Sequence, residues 1–147
     1  MSKEVQTDDL MGHVNMVMRA LLVAARNGAP AEGHLPFNPL YFNILRVVGG
    51  QGQMRPSQIA DQLGVSRTTI STAVRALQKR DLLMSLTDES DRRALHVRLT
   101  SAGRETLDAI LRQDRRNAAA MLETLDEEER VAFVATMGKV ARGLSGD

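Results

Sequence analysis

Apolar residues recur at helical spacing over several stretches of the chain and at strand spacing over one. Between residues 7 and 27, Val14, Val17, Met18, Leu21, Leu22 and Ala25 fall three and four apart, which places them on one face of a helix. Thr7 or Asp8 is its expected cap, and residues 1–6 are expected to fray. Gly28, Pro30, Gly33 and Pro36 then interrupt the chain. Asn38 and Pro39 read as the cap and first position of a second helix. Its residues Leu40, Tyr41, Ile44, Leu45, Val47 and Val48 make it the most apolar helix, and burial is expected for it. Gly49, Gly50 and Gly52 are expected to end it, with Gln53, Met54 and Arg55 as a short third strand of a small sheet.

The stretch from 55 to 104 organises the rest. Residues 56–63 predict a short helix, and Gly64-Val65 a tight turn. Ser66 caps a further helix to about residue 80. At 100° per residue, Ile70, Ala73, Val74 and Leu77 share one face of that helix, ready to pack on Ile59, Ala60, Leu63 and Val65. Thr68, Ser71, Thr72, Arg75 and Lys79 share the opposite face, with Arg67 on its flank. A hairpin follows, with strands at 82–87 and 94–99 and a charged tip at 88–93. His96 and Arg98 alternate with Leu95, Val97 and Leu99, the period of a half-buried strand. Thr100 caps a long helix to about residue 124. Asp126, with Glu129 three residues on, forms a capping box for a last helix carrying Val131, Phe133, Val134, Met137, Val140, Ala141 and Leu144. The fold class is mainly α with a small β-wing: a winged helix-turn-helix. Residues 1–36 are expected to form an N-terminal dimerisation helix and linker, 37–100 a DNA-binding domain, and 101–147 C-terminal dimerisation helices, for the reasons of surface chemistry and resemblance that follow.

The chemistry of the exposed face suits DNA. Hydroxyls reach phosphates or base edges without bulk, and arginine can bond two guanine acceptors at once. Arg67, Thr68, Ser71, Thr72 and Arg75 are therefore expected in the major groove, and Ser66 and Lys79 at phosphates. The tip carries Arg92 and Arg93, and either can enter a minor groove, where the negative potential is deepest. Asp91 is placed to hold one of them extended. The competing account of the tip is a solvated turn whose charges cancel.

Charge sharpens this reading. The chain is 147 residues long with a net charge of only +1. Residues 55–104 nevertheless hold nine Lys and Arg against five Asp and Glu, so the positive charge collects where groove contacts are expected. Cysteine is absent, which removes disulfides, thiolate metal sites and cysteine-based peroxide sensing. No apolar run is long enough to span a membrane. The first residues lack a signal-peptide core, so a cytoplasmic location is expected. His13, His34 and His96 show no metal-ligand spacing, and the acidic runs at helix starts are expected to answer the helix dipole. Neither a metal nor a cofactor is expected. With no P-loop, dinucleotide fingerprint or positioned nucleophile, neither is an enzyme.

The segment SQIADQLGVSRTTISTAVRALQKRDLL, the wing DESDRR and the junction VRLTSAGRE together resemble the MarR family of bacterial transcriptional regulators. The resemblance extends over nearly the whole chain in the order and length of its helices. It implies a homodimer built from the terminal helices, reading a pseudo-palindromic operator on double-stranded DNA. By the same resemblance Arg93 reads the minor groove and Asp91 buttresses it. Repression is the expected mode, relieved by a small apolar or aromatic effector. Eight methionines against three Phe, one Tyr and no Trp suit an adaptable pocket; His13, Met16, Tyr41, Phe42 and Arg46 are its candidate residues, with ordinary core filling as the alternative. The chain departs from the family pattern at Asp81, where members often have Gly, and at Ser85 and Leu86, where they often carry arginines. The alternative function is a winged-helix protein–protein adaptor that does not read DNA.

Overall fold

A computed structural model describes residues 1–27, 35–87 and 95–146. The wing tip, including Asp91, Arg92 and Arg93, and the linker with His34 lie outside the described residues. Among the described residues, six helices and one two-stranded sheet follow in the order α1 (Lys3–Asn27), α2 (Pro39–Gln51), α3 (Pro56–Leu63), α4 (Arg67–Lys79), β1 (Leu83–Thr87), β2 (Leu95–Leu99), α5 (Ser101–Glu123) and α6 (Glu127–Ser145). They divide into two compact units, one comprising 1–28 with 113–147 and the other 29–112.

The second unit holds the core. Ile44, Leu45 and Val48 of α2, Ile59 and Ala60 of α3, and Ile70, Ala73, Val74 and Leu77 of α4 are buried together. Leu35, Met54 and Leu82, Leu83 and Val97 of the sheet, and Leu107 and Ile110 of α5 complete the cluster. Each fully buried aliphatic side chain contributes about 1.5–3 kcal/mol, so this cluster sets the frame on which α4 is held. The strands pair antiparallel with Leu83 opposite Leu99 and Ser85 opposite Val97. Leu83 and Val97 face the core, and Met84 and Arg98 are exposed as a pair on the other face.

Several boundaries differ from the sequence expectation, each for a local reason. Helix α1 begins at Lys3, not Thr7. Ser2 Oγ accepts from Val5 N–H at 3.4 Å, so a cap is available earlier. Thr7 sits inside the helix and donates its hydroxyl to the Lys3 carbonyl at 2.8 Å. Helix α2 runs through Gly49 and Gly50 and ends at Gln51, with Gly52 at φ 87°. Gly49 is kept for packing: a Cβ there would lie 2.2 Å from Leu107 Cδ2. The third strand reduces to one bridge, in which Met54 N–H donates to the Val97 carbonyl at 3.0 Å and Val97 N–H returns at 2.8 Å. Leu82 stays outside β1 because its N–H closes the turn onto the Leu77 carbonyl at 3.0 Å.

In the first unit, α6 opens with the expected box: Glu129 N–H donates to Asp126 Oδ1 at 2.9 Å, and Asp126 N–H to Glu129 Oε2 at 3.0 Å. Arg130 Nε donates to the Leu122 and Leu125 carbonyls, each at 2.9 Å, satisfying the end of α5. No described residue of α1 or α6 is buried within the single chain. Val14, Val17, Val131, Val134, Met137 and Val140 are exposed, Val131 at 70%. No helix is long and apolar enough to cross a membrane among the described residues.

Candidate nucleic-acid interface

Helix α3 starts at Pro56, whose missing N–H removes one unpaired donor. Arg55 precedes it and has no acceptor to offer, so Gln58 reaches back instead, its Oε1 accepting from Arg55 N–H at 2.9 Å. The helix ends at Gly64, at φ 64° and ψ 33°. Val65 N–H then returns to the Ala60 carbonyl at 3.1 Å and Gly64 N–H to Asp61 at 3.4 Å, closing the helix through a left-handed glycine. That turn delivers Ser66 as the cap of α4, where its Oγ accepts from Thr69 N–H at 3.2 Å.

Helix α4 presents two opposed faces. Ile70, Ala73, Val74 and Leu77 are buried. Arg67, Thr68, Ser71, Thr72, Arg75 and Lys79 are all exposed, as their spacing predicts. The hydroxyls are not equivalent. Ser66 Oγ also shares a hydrogen bond with Thr69 Oγ1 at 2.8 Å, and Thr72 donates its hydroxyl to the Thr68 carbonyl at 3.1 Å. Thr68 and Ser71, with Arg67 and Arg75, complete the exposed stripe. Arg55, Arg80 and Arg98 are further exposed cations of the same unit; the regional charge excess includes them, but no periodicity singles them out.

The junction behind α4 explains one departure in the sequence. Asp81 is at φ 59°, the one non-glycine residue at positive φ among the described residues. Its carbonyl accepts from Thr100 Oγ1, which in turn accepts from Gly103 N–H at 2.9 Å. A Cβ on Gly103 would lie 2.0 Å from the Leu82 carbonyl oxygen. The end of α4 and the start of α5 are thus tied through one hydroxyl and one missing side chain. Ser85, another of the departures, accepts a hydrogen bond from Gln78 Nε2. Neither Gln78 nor that link stands out in the sequence, because contacts seven residues apart across a turn follow no period.

Of the effector candidates, Phe42 and Arg46 are brought together on α2: the guanidinium lies over the Phe42 ring, 6.0 Å from its centroid. Arg46 Nη1 also donates to Asn43 Oδ1 at 3.2 Å. Tyr41 is half-buried on the same helix. Phe37, absent from the candidates, packs edge-on against Phe42 with centroids 5.5 Å apart and is 55% exposed. His13 and Met16 are exposed on α1, in the other compact unit.

Comparison with known proteins adds to this geometry. The MarR family matches residues 37–95. The chain is 36% identical over 105 residues to the transcriptional repressor MprA of Escherichia coli K12, spanning 69% of this chain and 58% of MprA. It is 27% identical over 106 residues to the HTH-type transcriptional regulator PecS of Dickeya dadantii, spanning 70% of this chain and 64% of PecS. The match therefore spans less than two thirds of either relative. Its fold is that of Streptococcus pneumoniae FabT, solved in complex with DNA, with a TM-score of 0.82 at 21% identity over 99% of both chains.

Proposed function

Because the chain belongs to the MarR family of transcriptional regulators, we propose that it is a homodimeric repressor of a pseudo-palindromic operator, released by a small effector. The observation that carries this reading is the exposed stripe of α4, whose opposite face is wholly buried. A helix so anchored offers Arg67, Thr68, Ser71, Thr72 and Arg75 to a major groove without disturbing the core. Ser66 and Lys79 lie at its two ends, near the phosphates flanking the groove. Arg93 of the wing enters the adjacent minor groove, Asp91 buttresses it and Arg92 supports the contact. Repression is supported by the name of the MprA relative. The exposed apolar residues of α1 and α6 support a dimer. Two-fold symmetry would set the recognition helices at half-sites about 34 Å apart, or multiples of that.

The effector is an apolar or aromatic molecule, and the cation–aromatic pair of Arg46 and Phe42 supports its place beside α2. Tyr41, half-buried on the same helix, belongs to the proposed site. An effector releases the operator only by binding one conformation of the dimer better than the other.

Selection from a pool of random duplexes at near-physiological salt tests the reading. The expected outcome is an enriched inverted repeat with half-sites about one turn apart. A dimer that enriches nothing, even after refolding from denaturant to strip any ligand, would favour the adaptor function. On the enriched duplex, Arg75→Ala should lose about 1–3 kcal/mol of discrimination at one or two base pairs. Lys79→Ala should weaken all duplexes alike and lower the salt slope by about one. Identical behaviour of the two variants would overturn this sorting of contacts.

A further inference from the structure

Reading two grooves at once requires a fixed angle between the helix and the wing. The backbone fixes only the base of that angle, through the turn after α4 and the Met54–Val97 bridge. Leu82 N–H is tied to the Leu77 carbonyl at 3.0 Å, and Asp81 turns the chain at φ 59°. Beyond that turn, β1 carries the chain away over five residues toward the tip. Gln78, half-buried in the last turn of α4, reaches across and donates from Nε2 to Ser85 Oγ in the middle of β1. Ser85 lies opposite Val97, whose side chain is fully buried, so its hydroxyl is on the sheet face turned toward the core and α4.

We propose that Gln78 and Ser85 are positioning residues whose hydrogen bond sets the angle between the recognition helix and the wing. The inference rests on the DNA-reading function above. Without the tie, the hairpin is held only at its base, its outer part swings about the turn at 80–82 and the Met54–Val97 bridge, and the wing must be ordered anew when DNA binds. That ordering lowers affinity without removing any contact to DNA. The effect belongs to the operator, where helix and wing must both be in register. On an unrelated duplex the cations settle on phosphates wherever they can.

The test uses the full-length protein with Gln78→Ala, Ser85→Ala, both together, and Ser85→Thr, which keeps the hydroxyl. Each single alanine variant should bind the operator about three- to tenfold more weakly, the scale of one hydrogen bond. The double variant should be no weaker than the worse single one, because both remove the same bond. Ser85→Thr should bind like the wild type, and affinity for an unrelated duplex should change by less than about twofold. Minor-groove protection from hydroxyl radicals should fade before protection of major-groove guanine N7 from dimethyl sulfate. Additive losses, an equal loss on unrelated DNA, or operator binding unchanged in every variant would each overturn the proposal. A wild-type protein that selects no duplex would remove the DNA-reading function and this proposal with it. A selective wild type with indifferent variants would remove this proposal alone.

Discussion

Asp81 holds a backbone conformation that glycine adopts without penalty. At φ 59° its Cβ crowds the following carbonyl, a strain that aspartate tolerates better than most residues but does not escape. The Thr100 hydroxyl bonds the Asp81 backbone carbonyl, not its side chain, so glycine would keep that bond. Asp81→Gly is therefore expected to stabilise the fold by about 0.5–1 kcal/mol, net of the extra chain entropy glycine loses. Denaturant unfolding would measure it, and a lower midpoint would mean that the carboxylate has a stabilising partner. The departure from glycine was visible in the residue order, but its backbone strain was not. The same holds for the hydroxyls of α4. Their exposure follows from spacing, whereas the bonds of Ser66 to Thr69 and of Thr72 to Thr68 depend on where each hydroxyl turns.

Among the elements, capping chemistry proved the most legible signal. Asn38, Ser66 and Asp126 each begin the helix that follows them, because an acceptor three residues ahead of an unpaired N–H works through local geometry alone. Glycines inside helices were the least legible. Gly49 and Gly50 read as a stop, yet α2 continues through them, since Leu107 needs the space that a side chain at Gly49 would fill. Gly103 works in the same way inside the first turn of α5. Gly103→Ala would press a methyl group into the Leu82 backbone carbonyl, which cannot swing aside as a side chain can. A loss of about 1–3 kcal/mol is expected, with weaker operator binding because the link from Asp81 to Thr100 shifts. Calorimetric unfolding at an unchanged midpoint would show that the junction relaxes freely.

At the scale of the molecule, the two units differ in how much they bury. Unit 29–112 encloses an aliphatic core, while α1 and α6 leave Val14, Val17, Val131, Val134, Met137 and Val140 exposed. Leu144 is 85% exposed. Apolar exposure on this scale is uncommon in a monomer, which is the physical ground for the proposed dimer. Val131→Glu combined with Val134→Glu should convert a dimer to a monomer by sedimentation equilibrium, and operator affinity should fall with it, since one half-site is then held alone. A double variant that stays dimeric would place the interface elsewhere.

Periodicity and caps determine which residues form each helix, which face is apolar and which face of α4 carries cations and hydroxyls, because these depend on neighbours within one or two turns. The α3–α4 corner was equally legible, since Gly64 and Ser66 act within the same few residues. The closing of Asp81, Thr100 and Gly103 into one junction, the reach of Gln78 to Ser85 and the passage of α2 through its glycines were decided by packing. Each joins residues that touch only after the hairpin and α5 have folded back onto α2 and α4. Residue order constrains such contacts only through the shape of the whole core.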